Sequence, residues 1–116
     1  MRILVVDDEP DVVESVRLGF TLQWREVDVL GAGTGEAALD IVENDHPDIV
    51  LLDIGLPDID GFEVASRLRD AASPAAIVLA SSREQADFGT LVAESGARGL
   101  IDKSLLSGDA VRALVT

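Results

Sequence analysis

Cysteine is absent from the 116 residues, which removes disulfides, thiolate metal sites and thiol nucleophiles from consideration. Aromatic residues make up only 3% of the chain, with no tyrosine, one tryptophan and three phenylalanines. A core must therefore be built from Val, Leu, Ile and Ala rather than from rings. Basic residues are also scarce: 9 Lys and Arg face 22 Asp and Glu, for a net charge of -13. That balance repels nucleic acid and anionic membrane surfaces, so direct binding to either is not expected. No apolar stretch approaches the ~18 residues of a membrane span, and Met1-Arg2 leads directly into a strand rather than a secretory leader. The expectation is a soluble, cytoplasmic protein whose residues 1–116 form one domain, since length leaves no room for a second.

What is present is organised around residues 47–61. Ile49, Val50, Leu51 and Leu52 form a continuous apolar run bounded by Pro47-Asp48 and then by Gly55, Pro57 and Gly61. A run of this kind reads as a parallel strand buried on both faces. Asp53 stands at its carboxyl end, where open α/β sheets place their ligand crevices.

Four more strands are expected. Residues 3–6 are all apolar and end in Asp7-Asp8-Glu9, with Pro10 suited to a first helical turn. Residues 27–32 form a weaker strand, residues 75–80 one that ends at Ser81-Ser82, and residues 99–102 one that ends at Lys103. Between them lie amphipathic segments. One runs from Asp11 to near Gln23 with Val12, Val13, Val16 and Phe20 on one face; a second is capped by Thr34 and ends around Asn44 and Pro47. A third covers residues 62–70, a fourth residues 84–95 with Gly89 and Thr90 weakening it, and a fifth follows a Ser107 cap. Strand and helix alternating five times over short connections give an α/β fold, a parallel sheet covered by helices on both faces.

In such a sheet the carboxyl ends of the strands share one edge. Asp7-Asp8, Asp53, Ser81-Ser82 and Lys103 therefore meet there, although they lie far apart in sequence. Singly each has an ordinary reading: Asp7-Asp8-Glu9 favours a helix N-terminus, Asp53 caps a turn, the serines cap a helix, and Lys103 is a surface lysine. Their coincidence at strand ends favours a site. Carboxylates ~5 Å apart repel by roughly 3 kcal/mol per pair at an effective dielectric of about 20, so a cation is needed. A hard divalent ion such as Mg²⁺ suits oxygen ligands, Lys103 supplies further positive charge, and Ser81 supplies a hydroxyl donor. Metal, ammonium and hydroxyl converging on one carboxylate suit phosphoryl transfer, with Asp53 as nucleophile forming an acyl phosphate. His46, before Pro47 at the opposite end of its strand, reads as a surface residue, and Trp24 as a packing residue.

The separated motifs VVDDEP, LLDIGLPDIDG, VLASS and GLIDK resemble the receiver (response regulator) domain of bacterial two-component signalling over essentially the whole chain. The resemblance implies a three-layer flavodoxin-like (βα)5 fold with strand order 2-1-3-4-5. It matches Asp53 to the phosphoacceptor. Asp7 and Asp8 match the acidic pair that holds Mg²⁺ together with Asp53 and the backbone carbonyl of Gly55. Ser81 matches the hydroxyl residue that follows the phosphoryl group, and Lys103 the lysine that pairs with it. The implied activity is that of a phosphorylation-controlled switch, not a turnover enzyme, receiving its phosphoryl group from a sensor histidine kinase or phosphotransfer protein. Its catalysis is confined to its own phosphorylation and dephosphorylation. Its output surface, for a downstream protein or a second copy, is the face of the fourth helix and fifth strand. The chain is then a stand-alone receiver or one separated from an output domain.

Two positions depart from the family pattern. Leu100 stands where a switch aromatic is usual, so the signal is expected to pass mainly through Ser81 and the backbone after it. Ser104 stands where a proline, commonly in a cis bond, follows the lysine. A cis bond before serine costs about 2.5 to 4 kcal/mol. The expectation is a trans bond with the ammonium loosely held in the resting protein. Rival readings are a degenerate receiver that only docks proteins, and an aspartate-nucleophile phosphohydrolase. Intact Asp7, Asp8, Asp53, Ser81 and Lys103 disfavour the first, and Gly55, where a second aspartate is typical, disfavours the second. Flavin binding is disfavoured because the first strand ends in carboxylates rather than a phosphate cradle.

Overall fold

The computed structural model describes residues 1–82 and 89–115. Its strands are β1 (Arg2–Val6), β2 (Asp28–Ala32), β3 (Ile49–Asp53), β4 (Ala76–Ser81) and β5 (Gly99–Asp102). The helices are α1 (Pro10–Gln23), α2 (Gly35–Asp45), α3 (Gly61–Asp70), α4 (Gly89–Ser95) and α5 (Gly108–Val115), with a 3-10 turn over Lys103–Leu105. All strand pairs are parallel and the order is β2-β1-β3-β4-β5. The α/β flavodoxin-like order 2-1-3-4-5 expected from the resemblance is therefore observed.

The two faces of the sheet separate by the two-residue alternation of strand side chains. Ile3, Val5, Ile49, Leu51, Val78, Ala80 and Ile101 point to one side, where Val16 and Phe20 of α1, Trp24 and Val111 of α5 cover them. Leu4, Val6, Val50, Leu52, Ile77 and Leu79 point to the other, beneath Ala38 and Val42 of α2 and Val64, Ala65 and Leu68 of α3. Every residue of β3 is buried, as its unbroken apolar run requires. Trp24 is a packing residue, its ring stacked on Phe20 at 5.4 Å with the Arg112 guanidinium 4.9 Å above it.

Element ends depart from expectation by small amounts, each with a local cause. β4 extends through Ser81, which pairs in register with Asp102, so this serine belongs to the strand rather than following it. α2 continues to Asp45 and stops at His46, which is exposed and takes a left-handed conformation at φ 48°. α3 begins at Gly61 because Asp60 caps it, its carboxylate accepting from Glu63 N at 2.9 Å. The Thr34 and Ser107 caps are as expected, accepting from Ala37 N and Ala110 N, each at 3.1 Å. Of the expected fourth helix, residues 89–95 are helical, and residues 84–88 lie outside the described part of the chain.

Candidate phosphoacceptor and metal site

Topology carries the ends of β1, β3, β4 and β5 to one rim. β1 and β3 run in register from Ile3 opposite Ile49 to Val6 opposite Leu52, so Asp7 and Asp53 emerge side by side. Both are almost fully buried, at 4% and 5% exposure. Their carboxylates are held in the same way. Asp7 Oδ1 accepts from Glu9 N at 2.9 Å, and Asp53 Oδ1 accepts from Gly55 N at 3.2 Å. The second oxygen of each faces Lys103, whose Nζ lies 2.8 Å from Asp7 Oδ2 and 3.2 Å from Asp53 Oδ2. Asp8 is exposed, yet one oxygen from each of Asp7, Asp8 and Asp53 falls within 4.8 Å of the others.

Ser81 is 3% exposed. It lies one residue beyond Ala80, the register partner of Asp53, and so flanks the aspartate on the β4 side. Ser81, Asp8, Asp53, Gly55 and Lys103 line a single open cleft, together with the apolar side chains of Leu56, Phe62 and Leu91. Every expected site residue is thus at the rim, Asp7 as the buried acid beneath it.

Gly61 positions the floor of the cleft. A Cβ at this residue would stand 2.5 Å from Asp53 O and 2.7 Å from Ile54 Cα, so only glycine lets α3 start this close to the end of β3. Gly61 N then donates to Ile54 O at 3.0 Å and closes the loop between β3 and α3 at its base.

The electrostatic balance is unequal. Among the described residues one ammonium, that of Lys103, pairs with two of the three clustered carboxylates, and within 4.8 Å each carboxylate pair repels by about 3 kcal/mol at an effective dielectric near 20. Burial is the largest single influence on the Lys103 ammonium and favours its neutral form. The hydrogen bonds that the ammonium donates to Asp7 and Asp53 and the charges of those two carboxylates together outweigh burial and raise the lysine pKa above its ordinary value. The remaining negative charge and an all-oxygen donor set of three carboxylates fit a small hard divalent cation such as Mg²⁺, which keeps part of its water shell.

Lys103 corrects one expectation. The Lys103–Ser104 peptide is trans, but the ammonium is not loosely held: it contacts two buried carboxylates and its side chain is 18% exposed. The reason is a cap. Asp102 Oδ1 accepts from Ser104 N at 2.9 Å and from Ser104 Oγ at 2.8 Å, which folds residues 103–105 into a 3-10 turn and directs Lys103 back over the rim. These bonds also hold the Asp102 carboxyl below the usual carboxylate range.

Asp58 was not among the residues singled out in the sequence. Its Oδ1 accepts from Gly35 N at 2.8 Å and its Oδ2 from Glu36 N at 3.0 Å, joining the loop after β3 to the first turn of α2. The Glu36 and Gly35 amides lower its pKa to about 2.

A family model described as the response regulator receiver domain matches residues 3–115. The chain is 36% identical over 115 residues to the positive alginate biosynthesis regulatory protein of Pseudomonas aeruginosa, covering 98% of this chain and 46% of that protein. It is 38% identical over 85 residues to the transcriptional regulatory protein KdpE of Mycobacterium tuberculosis, covering 73% of this chain and 37% of that one. The chain thus spans less than half the length of these two relatives. Among solved structures, the signal receiver domain of NarL from Mycobacterium tuberculosis superposes with a TM-score of 0.87 at 31% identity, over 98% of this chain and 92% of that one. The receiver domain of a DNA binding response regulator from Colwellia psychrerythraea reaches 0.88 at 18% identity, over 98% of this chain and 94% of that one, a likeness of fold alone. With the strand order, the rim of acids and the matched span in agreement, the chain belongs to the response regulator receiver domain family.

Proposed function

We propose that the chain is a phosphorylation-activated signalling switch in which Asp53 accepts a phosphoryl group from the phosphohistidine of a sensor histidine kinase or phosphotransfer protein. An Asp53 carboxylate oxygen forms the new bond to phosphorus as the phosphorus–nitrogen bond to the donor imidazole breaks. The imidazole leaves with the bonding pair and takes up a proton. The observation that carries the reading is the pairing of Asp53 with Lys103 at 3.2 Å on a rim that also bears Asp7 and Asp8. Such catalysis is mostly positioning and charge neutralisation.

Each residue has a part. Gly55 N and Lys103 hold the Asp53 carboxylate in one orientation before transfer. Lys103 then neutralises charge on the incoming phosphoryl oxygens, and the Ser81 hydroxyl donates to one of them. Asp7, Asp8, Asp53 and the Gly55 carbonyl would hold Mg²⁺, which supplies positive charge to the transferred group. The chain acts once per phosphoryl group, catalysing only its own phosphorylation and dephosphorylation. Residues 1–116 act as one regulatory domain, and we place the exchange in the cytoplasm. Among the described residues, no helix is long and apolar enough to cross a membrane.

We assign the output to the face of α4 and β5, for a downstream protein or a second copy. Leu100 of β5 is half-buried there, packed with Val92 of α4 and Ala97 against the core on that side of the sheet. A net charge of -13 disfavours direct contact of this domain with nucleic acid.

The test is incubation with a small phosphodonor and Mg²⁺, followed by intact-mass measurement. A hydroxylamine-labile gain of one phosphoryl group, lost in Asp53→Asn, is expected. Equal labelling of Asp53→Asn at the same site would refute the mechanism and leave a protein-docking module as the better reading.

A further inference from the structure

Three amides in the first turn of α2 have no carbonyl within the helix to bond to, and two different parts of the chain supply acceptors. Ala37 N bonds to Thr34 Oγ1, and Ala38 N makes the first intrahelical bond, to the Thr34 carbonyl, each at 3.1 Å. Gly35 N and Glu36 N bond to the two carboxylate oxygens of Asp58, which is 23 residues from Gly35 and belongs to the loop between β3 and α3. A carboxylate at this end of a helix is also favoured by the helix dipole. The neighbouring Ile59 packs against Gly35, where a Cβ would stand 2.9 Å from Ile59 Cδ1 and 2.9 Å from Val64 Cγ2. The loop is therefore fixed at two places. At its base Gly61 N donates to Ile54 O, and at its tip Asp58 and Ile59 dock on the first turn of α2. Gly55, Leu56 and Pro57 lie between those points.

We propose that Asp58 is a positioning residue for the metal site, holding the loop that carries Gly55 in place from the first turn of α2. The inference rests on the assignment of the Gly55 carbonyl as a metal ligand. A loop carbonyl contributes to cation affinity to the extent that it is already in place, because ordering it on binding costs conformational entropy. Asp58 removes that cost in advance. It touches neither the phosphoacceptor nor the acid pair, and it acts by bridging two backbone segments that lie on the same side of the sheet.

Two caps on one helix provide the test. Thr34→Ala and Asp58→Ala each strip acceptors from the first turn of α2, but only the second releases the loop. Mg²⁺ affinity by calorimetric titration and amide hydrogen exchange of residues 54–61, measured without metal, are compared across wild type, Thr34→Ala, Asp58→Ala and Asp58→Asn. Asp58→Ala is expected to raise the Mg²⁺ Kd about fivefold, the scale of ordering one loop residue, and to speed exchange at residues 55–57. Thr34→Ala should leave both unchanged although it weakens the helix. Asp58→Asn, which keeps one of the two acceptor oxygens, should fall between wild type and Asp58→Ala in both measurements. Equal loss in the Thr34 and Asp58 variants, or an unaltered Kd in Asp58→Ala, would overturn the proposal. Absence of Mg²⁺ binding in the wild type would instead refute the metal assignment, while the metal-free exchange data still decide whether Asp58 holds the loop.

Discussion

The Lys103 ammonium lies closer to Asp7 than to Asp53, with Nζ 2.8 Å from Asp7 Oδ2 and 3.2 Å from Asp53 Oδ2. Among the described residues Lys103 is the cation at the rim, and in the resting site it neutralises an acid proposed to hold metal. A bound Mg²⁺ would draw on Asp7 and Asp53, the two carboxylates that Lys103 contacts, and metal and ammonium would then oppose each other until a phosphoryl group brings further negative charge.

Lys103→Met should accordingly tighten Mg²⁺ binding while slowing phosphorylation. At ~5 Å, loss of one positive charge beside a divalent ion amounts to about 1.5 kcal/mol even at the dielectric of water, or roughly tenfold in affinity. The same variant leaves Asp7 and Asp53 buried without their partner and should lose about 3 kcal/mol of stability without metal. Urea denaturation with and without Mg²⁺ measures this, and added Mg²⁺ should restore part of the loss. Weaker Mg²⁺ binding by Lys103→Met would show that the ammonium and the metal do not compete.

The pH dependence follows from the direction of the lysine shift. Its folded pKa is raised, so protonation favours the folded state. The stabilisation is fully present below the unfolded value of about 10.4 and is lost as pH rises through the higher folded value. The stability difference between wild type and Lys103→Met should stay level from neutral pH to about 10 and then close. A gap that closed nearer neutrality would mean that another group supplies the effect.

Most of this arrangement was legible in the sequence because it depends on strand ends. An apolar run buried on both faces cannot be shifted without exposing it, so β3 and the position of Asp53 followed from Ile49 to Leu52 alone. Asp7, Asp8, Ser81 and Lys103 then reached the same rim by parallel topology. The tethers were not legible. Asp58 meets α2 across 23 residues, a spacing with no local signature, and the Asp102 cap that turns Lys103 back over the rim was not read either. Asp60, by contrast, lies directly before its helix and carries the ordinary pattern of a cap. The expectation of a loose Lys103 considered the peptide bond before Ser104 and overlooked the N–H that serine, unlike proline, can donate.

That N–H leads to the last prediction. Asp102 accepts from both Ser104 N and Ser104 Oγ, and the 3-10 turn that results is closed by Leu106 N donating to Lys103 O at 3.4 Å. If this cap is what aims the ammonium, Asp102→Ala should act as a partial Lys103 variant even though the lysine is intact. Exchange of residues 103–106 should accelerate, phosphorylation should slow, and Mg²⁺ should bind roughly threefold tighter, a fraction of the Lys103→Met change, because the ammonium no longer occupies Asp7 fully. Ser104→Ala keeps the backbone N–H and loses only the hydroxyl bond, so its effect should be smaller in all three. The comparison separates a turn held by the Asp102 cap from one held by the rest of the fold. Unchanged Mg²⁺ affinity and unchanged exchange in Asp102→Ala would establish that Lys103 is directed by its two carboxylate partners alone.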